Sequence, residues 1–155
     1  MSISADSGLE GFKELSKKLS SMGSAVGGKI LRQSVGAAVT PVLKEARLNA
    51  PQGDRSHKTH KGRLVAPGFL SRSIKKKTFK SRDGRYASAV IGVKKEAFYG
   101  VQFVERGYTA TDRNKKKHSS VDPNEWLTKS LESKRREVTN KLKQDMLKRI
   151  LKAAR

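Results

Sequence analysis

The sequence predicts an α+β fold, with N-terminal helices and a long C-terminal helix packed on a small antiparallel sheet. Apolar residues recur at helical spacing in the first 49 residues and again after residue 122, and a strand-like segment with a hairpin turn lies between them. We expect a single domain over residues 1–155, because this length suits one domain. In chain order we expect a helix at 7–22, a helix at 28–49 with a kink or break, a basic loop at 52–67, a sheet region at 69–105, a basic loop at 107–121 and a helix at 123–154.

The first helix is predicted from a capping signal and an apolar stripe. In the segment that begins at Ser7, this serine fits the N-cap and Glu10 fits the third helical position, as in a capping box. Gly23 is expected to end the helix. The stripe consists of Leu9, Phe12, Leu15, Leu19 and Met22.

The second helical segment contains a proline, Pro41. A proline inside a helix removes one backbone hydrogen bond and clashes with the preceding turn. Two outcomes stay open at this point: the helix kinks, or Thr40 caps a new helix with Pro41 at its first position. Pro51 is expected to close the segment.

The middle of the chain is predicted to form strands. Residues 73–79 fit one strand, residues 82–85 (Arg-Asp-Gly-Arg) give a hairpin turn signal, and residues 86–93 fit the partner strand. The segment 98–105 is ambiguous, because its apolar residues fit both strand alternation and a helical turn. The last helix is expected to start with Asp122 as N-cap, Pro123 at the first position and Glu125 at the third.

Positive charge is the most prominent feature of the composition. The chain has 35 Lys and Arg against 14 Asp and Glu, a net charge of +21. Such an excess predicts attraction to polyanions or to acidic protein surfaces, without base specificity, although for any single basic run a solvated surface is the favoured interpretation. The candidate contacts to DNA or to an acidic partner are Lys75, Lys76, Lys77, Arg82, Arg85, Lys115, Lys116 and Lys117.

Several classes of chemistry find little support in the sequence. The chain has no cysteine, so disulfides and thiolate metal sites are excluded. His57 and His60 hint at a metal, but Asp54 is their only nearby carboxylate, and zinc takes three or four ligands. We find no nucleophile motif, no phosphate-binding glycine loop and no carboxylate cluster. We therefore expect no enzymatic activity, no metal and no cofactor.

Membrane insertion and secretion are not expected either. No apolar run approaches the roughly 20 residues that span a bilayer. The segment from Met1 to Asp6 has neither a basic start nor an apolar stretch, so we expect no signal peptide. The protein is expected in a cytoplasm or in a particle assembled there.

Five short segments, each of low specificity alone, occur in a characteristic order. They are Gly8 to Leu19, Ala46 to Pro51, Pro67 to Ile74, Tyr99 to Tyr108 and Pro123 to Ser130. Together they resemble the small neck, tail-completion or head–tail joining proteins of siphophages, related to the minor tail component encoded beside the tail terminator. The chain departs from that family where Pro67 replaces a Thr, where Tyr108 replaces the final Thr of its motif, and where Trp126 stands in place of the common Phe.

The resemblance implies a structural virion protein that forms a ring in the phage neck, usually a hexamer, joins the head connector to the tail and lets the genome pass. It implies head-closure and tail-terminator proteins as partners, transient contact with genomic double-stranded DNA, no membrane, and assembly in the bacterial cytoplasm. Glu105 beside Arg106 fits an ion pair between subunits or a local surface pair. The candidate residues for a subunit interface are Tyr99, Phe103, Glu105, Arg106 and Trp126.

Charge limits how much of this role DNA contact explains. A domain of this size is about 40 Å across, and duplex DNA carries roughly 24 charges over that length. Six subunits of +21 each far exceed that number. We therefore expect acidic partner proteins or solvent to meet most of the positive charge. The alternative function is a non-specific nucleic-acid-binding protein of the host cytoplasm, which would bind free DNA with steep salt dependence.

Overall fold

The computed structural model describes residues 6–58, 61–112 and 117–153. Its helices and strands alternate in an α+β order, which confirms the predicted fold class. In chain order they are α1 (Asp6–Ser21), α2 (Ser24–Ala38), α3 (Thr40–Asn49), β1 (His57–Lys58), β2 (Leu64–Val65), α4 (Phe69–Ser73), β3 (Ile74–Lys80), β4 (Ala87–Val93), a short 3-10 helix (Lys95–Ala97), α5 (Phe98–Arg106), β5 (Tyr108–Thr111), β6 (Lys117–Val121) and α6 (Trp126–Ala153). Within these described ranges the strands form three two-stranded sheets, β1–β2, β3–β4 and β5–β6.

Contacts divide the chain into two compact units. Unit 1 contains residues 1–41, 76–90 and 135–155, and unit 2 contains residues 42–75 and 91–134. Each unit has its own cluster of buried apolar residues. The single domain expected from the chain length stays a prediction.

The core of unit 1 is built from helices. Leu15 of α1, Ile30 of α2, and Met146 and Ile150 of α6 are buried together. Phe12, Leu19, Met22, Leu31 and Leu142 pack around them. Four residues of the stripe predicted for the first helix therefore face this cluster, whereas the side chain of Leu9 lies outside the described part of the structure. Burial of these residues, more than local propensity, stabilises the helices.

The proline in the second helical segment separates two helices. α2 ends at Ala38 and α3 begins at Thr40, which confirms the second of the two alternatives. The Thr40 hydroxyl donates back to the Gly36 carbonyl at 3.3 Å, and Val39 N–H donates to the Val35 carbonyl. Pro41 then occupies the first turn of α3, where its missing N–H costs least. α2 itself begins at Ser24, four residues before the position expected from the sequence.

The core of unit 2 gathers residues from helices and strands. Its fully buried members include Ala46 of α3, Ile74 of β3 and Trp126 of α6. Two hydrogen bonds fix α3 beside α4 and the start of β3: Ser71 Oγ of α4 donates to the Arg47 carbonyl at 2.8 Å, and Arg47 Nη2 donates to the Ile74 carbonyl at 2.8 Å.

The structure corrects both segments that were expected to be loops. Within residues 52–67, β1 and β2 form a short antiparallel ladder that pairs His57 with Val65. Within residues 107–121, β5 and β6 form an antiparallel hairpin in which Tyr108 pairs with Val121, with an irregularity between Ala110 and Thr111. The basic composition concealed both ladders, because cross-strand backbone pairing does not require apolar side chains.

The region 69–105 also contains more helix than expected. Residues 69–73 form α4, which starts after Gly68 in a left-handed conformation (φ 73°). β4 agrees with the predicted strand, and the ambiguous segment 98–105 is helical in α5. α6 begins at Trp126, three residues after the predicted start. No helix in the described ranges is both long and apolar enough to cross a bilayer.

Candidate interaction surfaces

The start of α6 is capped by a side chain that lies far away in the sequence. Glu105, at the end of α5, accepts hydrogen bonds at 3.0 Å from the backbone N–H of Leu127 and from that of Thr128. It also accepts a bond from the Thr128 hydroxyl at 2.8 Å. The first N–H groups of a helix have no partner within the helix, and a carboxylate there also offsets the positive end of the helix dipole. Glu105 therefore does the capping that the sequence assigned to Asp122.

Backbone contacts join the same two helices. The N–H groups of Asn124 and Glu125 donate to the carbonyls of Val104 and Glu105, at 3.0 and 3.3 Å. The chain then turns at Gly107, whose φ is 69°. A Cβ at this position would overlap the carbonyl of Val121, so only glycine fits here. The segment 104–107 thus fixes both the end of α5 and the beginning of α6.

The predicted interface residues divide between the core and the surface. Trp126 is 2% exposed, and no acceptor among the described residues binds its Nε1. This burial argues against direct contact with a neighbouring subunit. Phe103 packs edge-on against the Tyr108 ring at 5.0 Å. Arg106 is exposed at the end of α5. Tyr99 lies in the first turn of α5, and its side chain is outside the described part of the structure.

The three lysines at 75–77 do not form one patch. Successive side chains of a strand point to opposite faces, so Lys76 lies on one face of β3, and Lys75 and Lys77 on the other. Lys76 Nζ donates to the Gly36 carbonyl at 2.5 Å and to the Thr40 hydroxyl at 2.7 Å. Lys77 Nζ lies 5.1 Å from the centre of the Phe79 ring, a cation–π contact.

The turn between β3 and β4 holds its own carboxylate. Asp83 accepts hydrogen bonds from the Ser81 hydroxyl at 2.5 Å and from the Arg85 N–H at 3.1 Å. These bonds, led by that of Ser81, lower the pKa of Asp83 below its ordinary value. Arg85 Nε lies 3.6 Å from Asp83, which offsets part of its charge, and Arg82 is exposed.

The remaining candidates are only partly described. Lys115 and Lys116 lie outside the described residues, and Lys117 is exposed at the start of β6. His57 is in β1, and His60 is outside the described residues. Across the ranges that the structure covers, no group of three or more His, Asp or Glu is arranged to hold a metal ion.

Residues 13–107 match the HK97-gp10-like family, described as "Bacteriophage HK97-gp10, putative tail-component". The match spans more than half of the chain, so the chain belongs to this family of phage tail components, as the ordered motifs suggested. Searches of the curated proteins and of the solved structures each give no match. The family is structural, which implies a non-enzymatic role.

Proposed function

We propose that this chain is a structural protein of the phage neck. It forms a homo-oligomeric ring, sixfold in symmetry, that joins the head connector to the tail and lets the genome pass. Membership of a phage tail-component family is the observation that carries the proposal. Its partners are further copies of the chain and the head-closure and tail-terminator proteins. The protein resides in the virion after assembly in the host cytoplasm.

Exposed apolar side chains support subunit contacts. In unit 2, Phe98 is 54% exposed at the start of α5, and Tyr108 is exposed at the start of β5. In unit 1, Tyr86 and Val90 are exposed on and beside β4. A closed ring joins two different surfaces of identical subunits, so it requires two separate contact areas on each chain. Large apolar side chains at the surface of such a highly charged protein are candidates for both areas.

The charge supports a mixed set of partners. A net charge of +21 attracts acidic protein surfaces as well as the phosphates of a passing genome. DNA that must move through the ring would be held back by tight binding. We therefore expect the genome to contact the ring only transiently and acidic protein partners to stay bound to it.

The direct test is electron microscopy of the neck in purified particles, combined with mass spectrometry of their proteins. We expect the chain to be present in virions, and its density to form a sixfold ring between head and tail. Absence from the virion would overturn the proposal. Absence combined with salt-sensitive binding to free DNA would support the nucleic-acid-binding alternative.

A matched pair of variants tests the subunit contact at α5. Phe98→Asp places a charge on an exposed apolar residue of the proposed interface. The control Asn140→Asp places the same charge on an exposed polar residue of α6. We expect Phe98→Asp particles to lack the ring and Asn140→Asp particles to retain it. Both purified proteins should keep the helical content of the parent in circular dichroism. An intact ring in the Phe98→Asp particles would exclude α5 from the contact.

A further inference from the structure

A basic groove lies between α2 and β3 in unit 1. Its volume is about 690 Å³, within the range of pockets that hold small ligands. Its lining residues are Lys29, Arg32, Gln33, Gly36, Lys76, Thr78 and Lys80. Four of these seven residues are cationic and none is acidic. We refer to this feature as the α2–β3 groove.

The groove follows from two different periodicities. On α2, residues 29, 32, 33 and 36 are three, four and seven positions apart and share one face of the helix. On β3, residues 76, 78 and 80 alternate along the strand and share one face of it. A Cβ at Gly36 would lie 3.0 Å from the methyl group of Thr78, so this glycine allows helix and strand to approach closely at the bottom of the groove.

Two of the four cations of the groove, Lys76 and Arg32, contact neutral groups. Lys76 donates to the Gly36 carbonyl and to the Thr40 hydroxyl, and Arg32 Nε lies 3.5 Å from the Thr78 hydroxyl. Within the described part of the chain, no ion pair involves any of the four cations. The nearby carboxylate of Asp145 is bound by Arg149, which in turn donates to Gln33. The groove therefore combines positive charge with a concave shape, which concentrates the attraction for an anion.

We propose that the α2–β3 groove binds an acidic, extended segment of a partner protein. Side chains on one face of an extended peptide recur about every 6.6 Å. Residues 76, 78 and 80 of β3 recur at that same interval. Every second carboxylate on one face of the segment can therefore meet Lys76 and Lys80, which are two intervals apart. Lys29 and Arg32 lie on the opposite wall. A peptide in the groove would thus be contacted from both walls.

Double-stranded DNA fits this feature less well. A groove of about 690 Å³ has the size of a small-ligand pocket, which admits a single extended chain better than the width of a duplex. The charge comparison for a ring also favours acidic protein partners over the genome.

An acidic segment in the α2–β3 groove would give the proposed neck protein a class of partner. Only the place of that partner in the virion rests on the proposed function. Purified full-length protein and a fluorescein-labelled oligo-glutamate peptide test it by fluorescence anisotropy at low salt. The groove variant carries Lys29→Glu, Arg32→Glu and Lys80→Glu. The control variant carries Arg136→Glu, Lys148→Glu and Lys152→Glu, which are exposed positions on the part of α6 in the same unit. Both variants lower the net charge by the same amount.

We expect the groove variant to bind the peptide at least about tenfold more weakly than the parent, and the control variant to lose less than about threefold, because local charge pairs add to the general field. Equal losses in the two variants would overturn the groove as a site. So would a groove-specific loss of binding to single-stranded or duplex DNA without a loss of peptide binding.

Two further measurements keep the test sharp. If the triple reversal lowers the circular dichroism signal, the variant with Lys29→Gln and Lys80→Gln replaces it, and we expect about a threefold loss of peptide binding from removing two exposed charges. The assay uses no phage particle, so its result is independent of whether the chain forms a ring in the neck. Peptide binding that is unchanged in the glutamine variant would also overturn the proposal.

Discussion

Replacing Glu105 by alanine should destabilise the start of α6, although Glu105 itself lies in α5. The carboxylate accepts three hydrogen bonds, from the N–H groups of Leu127 and Thr128 and from the Thr128 hydroxyl. An N-cap side chain contributes about 0.5–2 kcal/mol, and a charge near a helix terminus adds about 0.3–1 kcal/mol. Together these contributions give an expected loss of about 2 kcal/mol in the free energy of unfolding.

Urea denaturation followed by circular dichroism measures this loss. Glu105→Gln keeps one acceptor oxygen but loses the charge and turns an amide N–H toward a donor, so we expect about half the effect of alanine. Glu132→Ala is the matched control, because it removes an exposed carboxylate from the second turn of the same helix. We expect it to change the free energy of unfolding by no more than about 0.5 kcal/mol.

A second variant links the cap to its partner. Thr128→Ala removes only the hydroxyl donor, and we expect its effect to shrink to near zero when Glu105 is already alanine. A Glu105→Ala variant as stable as Glu132→Ala would refute the cap. Additive losses in the double variant would show that the Glu105 and Thr128 side chains do not interact.

Other predictions follow from single positions. Gly107→Ala should lower the free energy of unfolding by about 3 kcal/mol, because the backbone conformation at Gly107 admits essentially only glycine. In the same urea titration, the control Gly100→Ala should be neutral or stabilising, because Gly100 of α5 faces open space. Trp126→Phe should lower the free energy of unfolding by less than about 1.5 kcal/mol, since it removes a buried donor without a partner, while Trp126→Ala should lower it by about 3–5 kcal/mol. Equal losses of stability for the two variants in thermal melts would contradict this prediction. NMR titration should give the carboxyl of Asp83 a pKa below the ordinary value of 3.8. The stabilising contribution of this carboxylate is therefore present above pH 3.8 and is lost as the pH falls through the lowered pKa. A measured pKa at or above 3.8 would contradict the turn geometry. Reversal of the whole Lys115–Lys117 run to glutamate should impair head–tail joining more than folding, and normal plating of that mutant phage would remove the run from the functional surface.

Local signals in the sequence determined which segments form the first and last helices, although the residues at which these helices start differ from the prediction. Pro41 limited the second helical segment to a kink or a new helix, and the structure shows the new helix, with Pro41 in its first turn. The stripe of α1 was readable from its periodicity, and the strand that became β4 from its small and β-branched residues and the turn signal before it. Family membership was also readable, since the order of short motifs survives even where each motif is weak.

The tertiary structure decided what depends on partners distant in the chain. Asp122 had the right residue type for a cap, but Glu105 reaches the free N–H groups of α6, and the helix starts at Trp126 instead. Backbone pairing holds the hairpin of β5 and β6 together, so this hairpin needs no apolar alternation, and its basic sequence shows none. Similarly, a run of three lysines reads as one patch in the sequence. The pleat of β3 separates it, and Lys76 meets α2 across a distance of forty residues in the chain. Residue type and spacing determine which elements can form, while the side chains that meet across those elements are fixed only when the chain has folded.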